Sequence, residues 1–263
     1  YILRCSAFCV YTNILTPLLS KIESQFEHIS KFQKDIDKAV DILIGMQVDG
    51  IIYVGMHDRK IGHVLHDIKK PVVYCYCYTE YEGSSVRYSN EKTAYQLTKM
   101  LIDNGHRNFG VINGLKESEP AALRFRGFKH ALDEAGIELK AENITYGNWK
   151  YKDGMEAAKK LLSKEDFPHA IVAMNDDMAV GVYDAASELG LKIPDDVSVT
   201  GFDNSAIVQY LSPKIVTADR PLQAMGYRSM ELLLESINGT REENVNITLP
   251  CTLIQGGSIK KLV

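Results

Sequence analysis

The chain has 263 residues, 45% of them hydrophobic and 24% charged, with a net charge of −4. That length suits two smaller α/β lobes better than one. The acidic balance leaves this portion without a basic footprint for nucleic acid, and no apolar run approaches the roughly 18–20 residues of a membrane span.

Residues 8–11 predict a short strand. Thr16 and Pro17 then open a helix across 18–26, proline being tolerated in a first turn. A second strand is due next. Only 25–30 offers one, with a weak pattern, so residues 1–6 are an alternative source, or residues are missing near 26–32. An amphipathic helix at 37–46 leads to a strand at 48–54, a helix at 57–68 and a strand at 71–77. Residues 85–88 form a short extended crossing segment. Helices at 91–104 and 120–135 flank a strand at 109–113, and each closes on a glycine, Gly105 and Gly136, the usual left-handed stop. A strand at 144–146 and a helix at 152–163 follow. Further on come a strand at 214–218, a helix at 221–237 and a strand at 248–255. Alternation of this kind specifies parallel sheets covered by helices. The strands are too many for one compact sheet, and the segments 78–84 and 218–221 are the expected crossings between lobes.

The most informative stretch is 170–204. Asn175 and Asp176 end the apolar run 170–174, and Asp203 and Asn204 end the run 197–202. Between them 178–190 has helical period. This is a βαβ unit with parallel strands, so both polar turns sit at the carboxyl edge of one sheet, where open α/β sheets bind ligands. Asn and Asp at neighbouring strand ends suit a polar, uncharged ligand such as a sugar.

Five cysteines stand at Cys5, Cys9, Cys75, Cys77 and Cys251. The number is odd and the spacing loose. Cys75 and Cys77 form a C-x-C on a strand and share a face, but no second ligand pair stands near them. Buried reduced thiols are expected, which favours a reducing compartment, the cytoplasm. His63 and His66 share one helical turn without a third ligand and read as a solvated face. The chain begins at Tyr1, without an initiator Met or a secretory leader pattern. It reads as an excised piece or a processed product.

Several motifs occur in order: VDGII at 48–52, NGHR at 104–107, RFRGF at 124–128, MNDDMAVG at 174–181, IPDDVSVTGFDN at 193–204, LSP at 211–213 and RP at 220–221. Together they resemble the effector-binding core of the lactose-repressor (LacI/GalR) family of bacterial transcription regulators. The match covers roughly 37–258. The resemblance implies two Rossmann-like lobes with parallel sheets, periplasmic-binding-protein-like, joined by three crossings with a ligand cleft between. The lobes are expected at 1–89 plus 221–244 and at 90–220 plus 245–263. It also implies a homodimer, and operator DNA held by an N-terminal helix-turn-helix domain absent from this chain.

Arg124 matches the family arginine that reaches effector, and its planar donors suit ring and hydroxyl oxygens. Asp203 matches the aspartate after Gly-Phe, and an ionised carboxylate accepts two hydroxyl hydrogens. Asn175 matches the asparagine at the preceding strand end. Asp176 beside it suits a helix N-cap as well as a ligand contact. Trp149, the only tryptophan, matches the aromatic that lies against the effector ring. In the N-terminal lobe Tyr76 stands where many relatives have aspartate, and Asn13 follows the first strand. His106, in a turn after Gly105, reads as structural. No cofactor or metal is expected. The function implied is small-molecule sensing, for a saccharide first and a purine second. The rival from the same architecture is a periplasmic-type sugar-binding protein of a transporter. Enzymatic motifs are missing: there is no P-loop, dinucleotide fingerprint or nucleophile elbow.

Overall fold

The computed structural model describes residues 8–11, 24–62, 65, 68–241 and 243–262. The chain divides into two units: Tyr1–Tyr88 with Leu222–Leu249, and Ser89–Pro221 with Pro250–Val263. It therefore passes between units three times, after residues 88, 221 and 249.

The first unit holds a five-stranded sheet of β1 (Phe8–Tyr11), β2 (Ile51–Val54), β3 (Val72–Cys75), β4 (Ser84–Tyr88) and β10 (Asn246–Leu249), in that order. Every pairing in it is parallel. Among the described residues its helices are α1 (Ser24–Gly45) and α6 (Leu222–Ile237). Ile36, Val40 and Leu43 recur at spacings of four and three on α1, and that stripe packs on Val48, Ile51, Tyr53 and Tyr74.

Five sequence expectations change here. Residues 25–30 form no strand, because α1 runs unbroken from Ser24. No described residue of 57–68 is helical: 56–59 bend, and Lys60 pairs with Tyr78. Asp58, in the bend, is buried and accepts from Arg87 Nε at 2.5 Å. The segment 78–84 is no crossing, since β4 continues the first sheet and the chain leaves after Tyr88. The single strand at 248–255 is two strands in different units, so 245–249 belongs with the first unit rather than the second. Finally, Tyr76 has φ 63, which ends β3 at Cys75 and breaks the alternation that put Cys75 and Cys77 on one face. Cys77 is buried and free, and burial pushes its thiol up to about 12. His63, His66, the helix start at Thr16 and residues 1–6 lie outside the described residues.

The second unit holds a four-stranded parallel sheet ordered β6 (Ile144–Tyr146), β5 (Phe109–Asn113), β7 (Ala170–Ala173) and β8 (Ser198–Thr200). β5 and β7 are buried along their whole length, as expected of central parallel strands covered on both faces. A short antiparallel pair, β9 (Thr217–Asp219) with β11 (Thr252–Ile254), accompanies the sheet. Its helices are α2 (Asn90–Asp103), α3 (Glu119–Glu134), α4 (Tyr151–Leu162) and α5 (Asp176–Glu188). Phe109, Phe128, Leu132, Leu161, Ile171 and Met178 lie in its core. His106 is structural: its Nε2 donates to the Lys260 carbonyl at 3.1 Å and lies 3.0 Å from Ser198 Oγ, tying the C-terminal segment to β8.

α2 and α3 touch closely at Gly127. A Cβ there would stand 2.0 Å from the Glu91 carbonyl oxygen and 3.0 Å from the Tyr95 nitrogen. Backbone cannot yield as a side chain does. Gly127→Ala is expected to cost about 1–3 kcal/mol, seen as a fall of roughly 2–12 °C in Tm. A wild-type melting curve would show that the two helices separate freely.

Candidate functional site

In the second sheet β5 is flanked by β6 on one side and β7 on the other, so the direction of winding reverses there. The carboxyl edge at such a reversal is where open α/β sheets take ligands. Each strand delivers a candidate to that edge. Arg124 comes on α3 after β5, Trp149 after β6, Asn175 after β7, and Asp203 after β8.

Arg124 sits on the buried stripe of α3 with Ala121, Gly127 and Phe128. It is 3% exposed. Its Nε donates to Asn90 Oδ1 at 2.8 Å, its Nη1 to the Met174 carbonyl, and its Nη2 to Asp203 Oδ1 at 3.3 Å. The guanidinium lies over the Phe202 ring at 3.6 Å and 5.4 Å from the Trp149 ring centre. Arg126 is off the stripe and pairs with Glu91 on the surface.

Asp203 receives a second arginine, Arg220, whose Nε lies 3.3 Å from the same Oδ1. Both described contacts converge on one carboxylate oxygen, Oδ1. The backbone there is left-handed, with φ 112 at Asp203 and 51 at Asn204. A non-glycine residue in that region marks strain, which concentrates at binding sites.

Asn175, not Asp176, caps α5: its Oδ1 accepts from Met178 N at 3.0 Å, and its Nδ2 donates to the Trp149 carbonyl at 3.1 Å. Asp176 is fully buried. It accepts from Thr217 Oγ1 and from Ser205 N, both at 2.7 Å. Desolvation raises its carboxyl from the ordinary 3.8 to about 6, against the opposing effect of those bonds. It therefore organises the loop after β8 from within. Trp149 has φ 66, and its indole covers Gly114, where a Cβ would lie 2.1 Å from a ring carbon.

Tyr76 belongs to the first unit, where its ring stacks on Tyr88 at 5.5 Å and its N–H donates to Val86 O. Asn13 lies outside the described residues. The sequence reading missed Asn90, Phe202 and Arg220. Asn90 stands one residue before the helix start expected at 91. Arg220 appeared as half of an Arg-Pro motif without a role. Phe202 looked like strand core.

The periplasmic binding protein-like domain family matches residues 98–259. Catabolite control protein A of Priestia megaterium is 31% identical over 230 residues, spanning 84% of this chain and 69% of that protein. The chain belongs to the LacI family of transcription regulators. The transcriptional repressor PurR of Vibrio vulnificus is 36% identical over 174 residues, 66% of this chain and 52% of its own length. Among solved structures, a LacI-family regulator from Rhizobium etli superimposes with a TM-score of 0.81 at 28% identity, covering 87% of this chain and 84% of that one. The regulator CelR, solved with cellobiose, superimposes with a TM-score of 0.71 at 26% identity, covering 85% and 69%. The LacI-family chain is thus a regulator's sensing domain rather than a transporter's binding protein. Among the described residues no helix is long and apolar enough to cross a membrane, and no group of three or more His, Cys, Asp or Glu is placed to hold a metal ion.

Proposed function

We propose that this domain senses a small neutral saccharide through Asp203 and Trp149, with the buried Arg124 holding Asp203 in place. The observation that carries the reading is Asp203, a strained carboxylate at a sheet edge. Two guanidiniums lie 3.3 Å from one of its oxygens, and a carboxylate has further lone pairs with which to accept hydroxyl donors. Trp149 supplies an apolar face close to the same guanidinium. A sugar presents both surfaces, a hydroxyl rim and a C–H face. CelR, of similar fold, was solved with cellobiose. In the whole regulator, a cytoplasmic homodimer, effector binding changes lobe and dimer geometry and so sets the grip of a helix-turn-helix domain on operator DNA. A ligand achieves this only by binding one state better than the other. The domain is a binding module, not an enzyme.

A thermal-shift panel of mono- and disaccharides, sugar phosphates and purines tests the reading. A ligand of the folded state raises Tm in line with RT ln(1 + [L]/Kd). A shift with a neutral sugar supports it; a shift with purines alone overturns it. Asp203→Ala is expected to weaken binding of that sugar by about 2–5 kcal/mol in calorimetry, because hydroxyls and arginines lose their shared acceptor. Sedimentation of the whole regulator as a monomer would remove the dimer from the scheme.

A further inference from the structure

We propose that Asn175 is a positioning residue for Trp149, holding the indole in place as the apolar wall of the effector site. The wall's role rests on the saccharide reading above, while the hold rests on geometry alone. Asn148 and Trp149 both have left-handed backbone, at φ 49 and 66. Asparagine tolerates this conformation, whereas at Trp149 it costs about 1–2 kcal/mol. A tryptophan so placed persists only where neighbours hold it. Asn175 is such a neighbour, because its Nδ2 donates to the Trp149 carbonyl at 3.1 Å.

The amide cannot turn away, because its oxygen is committed to the Met178 N–H as the cap of α5. A flipped amide would set NH2 against that N–H, donor against donor. Asn175 is also 7% exposed. Both ends of the side chain are therefore engaged within the protein. On the far side of Trp149, Gly114 leaves the space the indole fills. Asn175 thus holds the backbone of Trp149 through its carbonyl, and the absent Cβ of Gly114 leaves room for the indole.

Trp149 is the only tryptophan, so tryptophan emission, excited at the red edge where the 14 tyrosines do not absorb, reports this place alone. Asn175→Asp separates the two bonds. A carboxylate still accepts from Met178 N–H, at a helix N-terminus that favours negative charge. It loses the donor to Trp149 and sets an oxygen against the carbonyl. Without any sugar present, the emission of Asn175→Asp is expected to move red and acrylamide quenching to rise roughly twofold as the indole leaves its seat. Because the cap remains, Tm is expected to stay within about 4 °C of wild type. Unchanged emission and quenching overturn the hold.

Asn175→Ala removes both bonds and is expected to lose Tm as well; if it does not fold, Asn175→Asp decides. Calorimetry with the sugar that shifts wild type most reads the second half, cellobiose being the first probe. About tenfold weaker binding by Asn175→Asp supports the positioning role. Wild-type affinity with a displaced indole overturns it. If no sugar binds wild type, the saccharide reading falls, and the acrylamide result still decides the hold.

Discussion

Arg124→Ala is expected to lower Tm by roughly 6–20 °C, the largest stability effect of any substitution at the site. The guanidinium is buried and serves three acceptors at once: Asn90 Oδ1, the Met174 carbonyl and Asp203. Those acceptors come from α2, from the end of β7 and from the loop after β8. Removing the donor takes a charge-assisted hydrogen bond from each of these buried groups, at about 1–3 kcal/mol each. Asp203 keeps Arg220, so the lost pair adds less than a fully orphaned charge would. A total of about 3–5 kcal/mol is in the range seen when one partner of a buried pair is removed. The Phe202 ring also loses the cation above it.

Arg124→Lys is expected to recover less than half of that loss. A lysine carries one ammonium in place of a planar fork and cannot reach three acceptors spread around a guanidinium. Arg126→Ala is the control. That side chain is 64% exposed and paired only at the surface, so its removal is expected to cost under about 1 kcal/mol. Thermal and urea melts of the three variants make the comparison. An Arg124→Ala protein melting within about 2 °C of wild type would show the buried network to be inert.

Asp176→Asn is expected to remove a pH dependence that runs against ordinary acid unfolding. Burial raises the Asp176 carboxyl from 3.8 to about 6, so the folded state holds its proton more tightly than the unfolded state. The sign follows from linkage. Stability from this group is complete below the unfolded value of 3.8 and is lost as pH rises through about 6. A rise of that size is worth about 3 kcal/mol. Other carboxylates titrate over the same range, so the quantity to read is wild type minus variant. That difference is expected to fall by about 2 kcal/mol between pH 4 and pH 7. Urea melts at four pH values across that range suffice. A difference that does not change with pH would mean the buried carboxylate is solvated. Asn remains compatible with the loop, since its oxygen can take Ser205 N–H while its nitrogen donates to Thr217 Oγ1.

The two effects concern one piece of architecture. Arg124 ties α3 to the ends of β7 and β8, and Asp176 ties α5 to the loop after β8 and to β9. The residues offered to a ligand stand on this frame. Asp203 is the member whose carboxylate is part-exposed. A buried frame with one accessible acceptor suits recognition, because little has to be ordered when the ligand arrives.

Much of this was legible in residue order. Hydrophobic runs at 109–113 and 170–174, separated by helical stretches, specify buried parallel strands, and β5 and β7 are buried throughout. The period of α3 puts Arg124 on the stripe of Ala121 and Phe128 and leaves Arg126 off it. The polar ends of two parallel strands had to share one edge. The failures have physical causes too. Residues 57–68 carry an apolar period that suits a helix, yet Asp58 pairs with Arg87, 29 residues away, and Lys60 bridges to Tyr78. The run 248–255 reads as one strand, but Pro250 lacks the N–H a central strand needs, and the chain divides there between two sheets.

Local periodicity and strand polarity, which depend only on residues a few positions apart, thus determined the α/β class and the edge that carries Trp149, Asn175 and Asp203. Only the tertiary structure decided what each polar group spends itself on. Asn175 reaches Trp149 across 26 residues and Arg124 reaches Asp203 across 79. Those distances close only when the strand order β6-β5-β7-β8 brings the loops together. A hydrogen bond is short and directional, so its partners are set by that order and not by spacing along the chain.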